Sequence, residues 1–264
     1  MPNVPQKKLT DRYDREACAY RDLWAPVLEI AGLKLVRELA GARPKRILDV
    51  GTGVGSLLPH LETAFPDAFV LGVDRSAGML AQGPRRFPRA VMDATQLGVS
   101  PASLDLVLLV FMLFHLERPE EGLREARRVL ADGGRVGCLT WGEDLESTAS
   151  RIWNECLDAH GAAEEDPTVR TRHDPVNTPE KMETLLRLAG FTSLRCRADE
   201  LVSFIDPERL IRLKTSLGSS KVRYDGLAPA AREACAKDAR RRMAELSSED
   251  FVARGRVVVA VASV

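Results

Sequence analysis

Arg46-Ile-Leu-Asp-Val-Gly-Thr-Gly-Val-Gly55 is the stretch on which the reading of this chain turns. A short apolar run passes directly into three glycines at alternate positions, the pattern of a buried strand bending tightly into a helix. Glycine has no Cβ, so the backbone there can take a positive φ and approach a ligand closely. The free N–H groups at the start of the following helix favour the negative end of that ligand. A glycine cluster alone is weak evidence, because ordinary turns use glycine as well.

Working outward, apolar runs recur at Ala68–Val73, Ala90–Met92, Leu104–Phe111 and Arg135–Trp141. Helical stretches fall between them at Gly55–Thr63, Ala77–Gln82 and Glu120–Leu130. The runs are apolar almost throughout rather than alternating, as in a sheet covered on both faces. Strand, helix and strand in repetition imply right-handed crossovers and parallel pairing. The expected fold is α/β: a doubly wound, mostly parallel seven-stranded sheet with an antiparallel edge strand. N-terminal helices precede it and a helical insertion comes before the last strand.

Residues 10–40 read as helical, with Pro26 kinking or splitting the helix. Beyond Trp141, Glu146–His160 is a helix, and Thr178-Pro179 opens another with Thr as its cap and Pro at the first position. Phe191–Phe204 reads as a strand, Pro207–Leu217 and Pro229–Leu246 as helices, and Arg256–Val264 as the last strand. These parts make one domain over 1–264: a helical cover (1–42), a ligand-binding core (45–142), a variable half (143–204), a helical lid (205–250) and the closing strand (254–264). The segments outside the core suffice for covers over one sheet, not for a second core.

Composition narrows the function. The chain has 264 residues, with 38 Lys plus Arg balanced by 38 Asp plus Glu. That balance argues against a polyanionic partner held by a general field. An apolar fraction of 45% with 29% charged is that of a globular protein. Five cysteines stand far apart with no CxxC pair, which points to reduced thiols and a cytoplasmic location. Residues 1–12 lack the apolar core of a signal peptide, and no apolar run approaches the ~18 residues of a membrane span. No His/Cys cluster has zinc-ligand spacing, so no metal is expected.

Two carboxylates extend the glycine signal. Asp74 ends the run Val70-Leu-Gly-Val-Asp, 19 residues after Gly55, where an acid can accept both hydroxyls of a ribose. The plainer alternative is a turn, with Ser76 capping the next helix. Asp93 follows the third run, at the carboxyl end of the sheet where open α/β folds bind ligands.

With these residues in place the chain resembles the class I S-adenosylmethionine-dependent methyltransferases of the small-molecule type, such as those of ubiquinone/menaquinone biosynthesis and natural-product pathways. The resemblance rests on Leu48-Asp-Val-Gly-Thr-Gly-Val-Gly55, Gly72-Val-Asp-Arg-Ser-Ala-Gly-Met-Leu80, Met92-Asp-Ala94, Leu104-Asp-Leu-Val-Leu-Leu-Val-Phe111 and Leu123-Arg-Glu-Ala-Arg-Arg-Val-Leu-Ala-Asp-Gly-Gly-Arg135. Their spacing here is GxGxG, where dinucleotide enzymes want GxGxxG. The resemblance implies S-adenosyl-L-methionine as cofactor. Gly51, Thr52 and Gly53 then line its methionine and ribose, Asp74 takes the ribose hydroxyls, and Arg75 and Met79 flank the adenine. Asp93 and the backbone of Ala94 meet the adenine amine, while Val110 and Phe111 lie by the methionine amine and sulfonium.

Methyl transfer is an in-line displacement, so the protein mainly positions reactants and excludes water. A base is needed only for a nucleophile that carries a proton, and His115, just past the fourth run, is the candidate for that catalytic role. Tyr20 and Trp24, four apart on a helix, and His173 in the polar stretch are candidate acceptor contacts. The basic run Lys237-Asp-Ala-Arg-Arg-Arg242 reads as a solvated face. The partner expected is a small-molecule acceptor, methylated at oxygen, with neither nucleic acid nor membrane; a homodimer is allowed. The alternatives are a donor-binding relative that does not methylate, and an NAD-dependent oxidoreductase.

Overall fold

The computed structural model describes residues 4–264. Helix α1 (Val4–Ala19) widens into a π turn (Tyr20–Trp24) before α2 (Ala25–Glu38) resumes with Pro26 in its first turn. The helical pattern thus begins earlier than residue 10. The break falls just ahead of Pro26, whose nitrogen cannot donate and needs no partner there.

Strands β1 (Arg46–Val50), β2 (Phe69–Asp74), β3 (Arg89–Val91) and β4 (Leu104–Val110) alternate with α3 (Leu58–Ala64), α4 (Ala77–Ala81) and α5 (Pro119–Val129). Then follow β5 (Leu130–Glu146), α6 (Thr148–Ala159), α7 (Thr168–Thr171), α8 (Pro179–Leu188) and β6 (Thr192–Phe204). Helices α9 (Pro207–Ser216), α10 (Gly218–Asp225) and α11 (Pro229–Met243) precede β7 (Val252–Ser263). The seven strands form one sheet in the order β3-β2-β1-β4-β5-β7-β6.

Pairing is parallel from β3 through β5, and β7 runs antiparallel to both β5 and β6. The antiparallel pairing expected near the edge is therefore supplied by the last strand, slotted between β5 and the outermost β6. Strand β5 is longer than Arg135–Trp141. It begins pairing at Leu104↔Leu130 and continues past Trp141 to Glu146↔Arg254, with register shifts on the way. Helix α10 was not expected; its Gly218 has φ 67° and interrupts what otherwise reads as a single polar connection.

The sheet is buried on both faces, which explains the unbroken apolar runs. On one face α2 and its C-cap lay down Leu28, Ala31, Leu35 and Leu39 at three- and four-residue steps. Gly137 of β5 admits them closely: a Cβ there would lie 3.1 Å from Leu39 Cδ1. The C-terminal helices do not merely cover the sheet. Leu23 and Val27 join Trp153, Leu210, Cys235 and Met243 in a second apolar cluster, built on the fully buried Trp153. The expectation that these helices lack a core of their own is thus corrected. Among the described residues no helix is long and apolar enough to cross a membrane.

Candidate active site

Strand order reverses between β1 and β4, and the carboxyl ends of those strands open the crevice where such sheets bind ligands. After Val50 the chain turns through Gly51, Gly53 and Gly55 with φ of 72°, 57° and 71°. These left-handed conformations cost glycine nothing. A Cβ on Gly51 would stand 2.7 Å from Met112 Cβ, so no side chain fits between the β1 turn and the β4 turn. The N–H groups of Gly51 and Thr52 both donate to Val73 O, at 2.8 and 2.9 Å, which ties the turn to β2.

All ten residues that the resemblance assigns to the donor line one cavity at this point. Asp74 accepts from Gly53 N at 2.9 Å and Ser76 N at 2.8 Å, one bond to each oxygen. Burial raises its pKa against these donors, and each oxygen keeps lone-pair capacity. Ser76 also caps α4 by accepting from Met79 N, so the turn role and the cavity position coexist in one segment. Asp93 accepts twice from Thr95 through Oδ1 and pairs with Arg75 through Oδ2 at 2.6 Å. Burial opposes its ionisation, but the Thr95 bonds and the Arg75 guanidinium hold its pKa low.

Asp49, which the sequence reading left without a role, lies in the same cavity wall. It is 2% exposed, and its Oδ2 accepts from Thr52 Oγ1 at 2.6 Å. Burial pushes its pKa to about 6. Its position two residues before Gly51 was the available signal.

The cavity is roofed by α1, through Leu9, Thr10 and Tyr13. Two contacts fasten that roof. Asp14 Oδ1 accepts from Ser76 Oγ at 2.6 Å and from Gly78 N at 2.8 Å, docking α1 on the start of α4. Tyr13 Oη meets His115 Nε2 at 3.0 Å, with the two rings edge to face. Burial holds His115 well below its ordinary pKa, and the nearby Arg172 and Arg12 add to the effect. The ring is neutral, and its Nδ1 is buried without a partner. Neither Tyr13 nor Asp14 has a local sequence signal, because both act across long separations in the chain.

A second, larger cavity of about 700 Å³ adjoins the first, sharing Tyr13, Tyr20, Leu28, Phe111 and His115 with it. Phe111 directly follows β4 with φ 51°, a strained value for a side chain of this size. Its ring lies 4.6 Å from Trp141, which stacks on Trp24 at 6.0 Å and 26°. Trp24 and His173 line only this second cavity, whereas Tyr20 borders both. Tyr20 and Trp24 both lie in the π turn and both border the second cavity. His173 packs on Phe114 at 4.2 Å, and burial followed by Arg172 lowers its pKa to about 4. The insertion before β7 contributes Lys214, Ser219, Ser220 and Arg223 to this cavity and nothing to the first, so it does not cover the donor. The arginines of the Lys237–Arg242 run pair with Glu208, Asp238 and Glu155 and face neither cavity.

The first cavity is acidic, with Asp49, Asp74 and Asp93 in its wall and a single arginine already paired to one of them. A dinucleotide would bring its pyrophosphate against those acids, whereas a nucleoside bearing an ammonium and a sulfonium suits them. A family described as a methyltransferase domain matches residues 48–138. A malonyl-[acyl-carrier protein] O-methyltransferase of Herminiimonas arsenicoxydans is 30% identical over 208 residues, covering 77% of this chain and 74% of its own. That of Hahella chejuensis is 34% identical over 142 residues, covering 52% of this chain; the match spans only half (50%) of the relative's length. The fold also matches phosphoethanolamine N-methyltransferase 2 of Haemonchus contortus, solved with phosphomonomethylethanolamine and S-adenosylhomocysteine. There the TM-score is 0.51 at 18% identity, over 88% of this chain and 52% of that one. Glycine turn, paired strand-end acids and relatives together make the conclusion plain: this chain belongs to the S-adenosylmethionine-dependent methyltransferases.

Proposed function

We propose that the protein transfers a methyl group to the oxygen of a small-molecule acceptor held in the second cavity. One observation carries this reading: the acidic donor cavity and the aromatic cavity meet at Phe111, Tyr13, Tyr20 and His115, so a donor and an acceptor can lie end to end there. The O-methyltransferases among the relatives support oxygen as the nucleophile.

S-adenosylmethionine, when bound, supplies a methyl carbon already activated by a positive sulfur. Everything else falls to the chain's own residues. Gly51, Thr52 and Gly53 hold the methionine and ribose, with Asp49 placed for the ammonium and Asp74 for the ribose hydroxyls. Met79, Arg75, Asp93 and Ala94 enclose the adenine, and Val110 and Phe111 border the reacting end. Helix α1 excludes water, which strengthens the electrostatics inside. His115, neutral and with one ring nitrogen unpartnered, is placed to accept a hydrogen bond, and then the proton, from an acceptor hydroxyl. Trp24, Trp141 and Tyr20 stack on the acceptor. We place the whole in the cytoplasm as one domain, acting without nucleic acid, metal or membrane; a homodimer fits the same reading.

The test is thermal-shift titration with S-adenosylmethionine, S-adenosylhomocysteine and NAD, followed by mass spectrometry of an acceptor panel. The first two ligands are expected to raise the melting temperature and NAD to leave it unchanged. Acceptors are expected to gain the mass of one CH₂. A shift with NAD alone would sink the assignment.

A further inference from the structure

Helix α2 brings a fourth carboxylate to the donor cavity, beside Asp49, Asp74 and Asp93. Ala25, Leu28 and Glu29, at three- and four-residue spacing, present one side of the helix to the cavity wall. Gly32 continues that side and lets the helix sit close. A Cβ there would lie 2.6 Å from Leu57 Cδ2, in the segment that leaves the glycine turn. Glu29 Oε1 meets His60 Nε2 of α3 at 2.7 Å, and both side chains are half-buried. Among the described residues nothing else bonds to Glu29, so its second oxygen keeps its full capacity to accept.

A half-buried pair that served only to tie α2 to α3 would be worth little, and the contact of Gly32 with Leu57 already makes that tie. What sets Glu29 apart is the end of the cavity at which it stands. Met92, Asp93 and Ala94 line the adenine end. Leu28, next to Glu29, borders the second cavity as well, so Glu29 lies toward the end where donor and acceptor meet. That end receives the methionine part of the donor, whose ammonium has three N–H groups to place. Asp49 has one oxygen already engaged by Thr52 Oγ1, which leaves room for a second acid. The donor's own carboxylate would be repelled by Glu29 and does not compete for the position.

We propose that Glu29 takes the α-ammonium of the donor together with Asp49, and that His60 is the positioning residue that holds the Glu29 carboxylate at the cavity wall. The pair makes the site selective for adenosyl thioethers that keep the amino group. This deepens, and rests on, the placement of the donor given above.

The experiment measures binding by calorimetric titration, with no turnover required. The probes are three uncharged-sulfur ligands: S-adenosylhomocysteine, its analogue with hydrogen in place of the amine, and 5′-methylthioadenosine, which lacks the whole amino-acid end. The parent protein is expected to bind the first at least tenfold more tightly than the other two. Glu29→Gln is expected to weaken S-adenosylhomocysteine about tenfold, the scale of one hydrogen bond to a charged group, and to leave the other two within twofold. His60→Ala should reproduce part of that selective loss, and His60→Gln, which can still donate to Glu29, should recover it. The two amine-free ligands report whether each variant keeps a folded cavity. Equal weakening of all three ligands by Glu29→Gln, or none, overturns the inference and leaves donor binding standing. So does a parent protein that binds S-adenosylhomocysteine no better than its amine-free analogue. An unchanged His60→Ala affinity overturns the part given to His60. A parent protein that binds none of the three overturns the donor placement, and the inference with it.

Discussion

Gly78 is the position at which closure of the donor cavity can be tested without touching the donor. It is the second residue of α4, and a Cβ there would lie 2.7 Å from Asp14 Cα and 2.9 Å from Asp14 O. Both are backbone atoms of α1 and cannot swing aside, so Gly78→Ala must push the helix outward by roughly 0.7–1 Å to reach ordinary contact. Asp14 then loses its bonds from Gly78 N and Ser76 Oγ. Charge-assisted bonds of this kind contribute about 1.5–3 kcal/mol each. Exposure of Asp14 to solvent reduces the pair to about 2 kcal/mol in total. If the donor binds only beneath a closed α1, that loss weakens it by up to about 30-fold, at tenfold per 1.4 kcal/mol. Global stability should fall by only about 1 kcal/mol, because Ala is favoured over Gly inside a helix by about 1 kcal/mol and offsets part of the lost docking. Calorimetric titration with S-adenosylhomocysteine measures the affinity, and amide exchange over residues 7–19 measures the release of α1. Faster exchange in α1 with affinity within twofold of the parent would refute the coupling of roof to donor.

Asp49 makes donor binding depend on pH. Its folded-state pKa of about 6 lies above the ordinary value of 3.8, and a cationic ligand needs the carboxylate form. Affinity for S-adenosylhomocysteine is expected to be full above pH 6 and to fall by up to about tenfold per unit below it, and Asp49→Asn should flatten that profile. Stability of the free protein runs the other way. A carboxyl with a raised folded-state pKa costs about 3 kcal/mol when ionised, so the free protein gains up to that amount as pH falls from about 6 to about 4, readable in urea titrations. Gly51→Ala combines a φ of 72° with the 2.7 Å approach to Met112 Cβ. It should cost about 2–4 kcal/mol of stability and abolish donor binding even at temperatures where the variant is folded. Trp153→Ala removes the centre of the second apolar cluster and should cost about 3–5 kcal/mol. Its donor affinity below the melting transition should stay within twofold, because that cluster does not line the donor cavity.

The donor half was legible because its signals are local. Strand β1 was placed residue for residue, and β2, β3 and β4 to within a residue at each end, since buried parallel strands are unbroken apolar runs ended by glycine or acid. Apart from Met79 on α4, every donor contact expected from the motifs lies at or just beyond a strand's carboxyl end, and one cavity gathers them all. The acceptor half was not legible in the same way. Arg172, Lys214, Trp141 and Tyr13 come from four separate segments, and only the packing of α1, α9 and the polar stretch around Thr168–Thr171 brings them to a common wall. Trp24 illustrates the loss most directly: its stacking on Trp141 joins residues more than a hundred positions apart, which no local spacing signals. The second apolar cluster escaped for the same reason, its members being spread from Leu23 to Phe251 with no periodicity linking them.

The slotting of β7 between β5 and β6 fixes an order of assembly. Strands β1 to β4 and the glycine turn are contiguous in the chain and can pair as they emerge from the ribosome. Strand β6 has no neighbour in the sheet until Val252–Ser263 has been synthesised and inserted beside it. Until then β5 and β6 each present an open edge, the kind of surface that pairs with other chains. The donor pocket can therefore be complete on a nascent chain whose acceptor side is still open. A ligand of that pocket would act on the folding intermediate as well as on the finished enzyme.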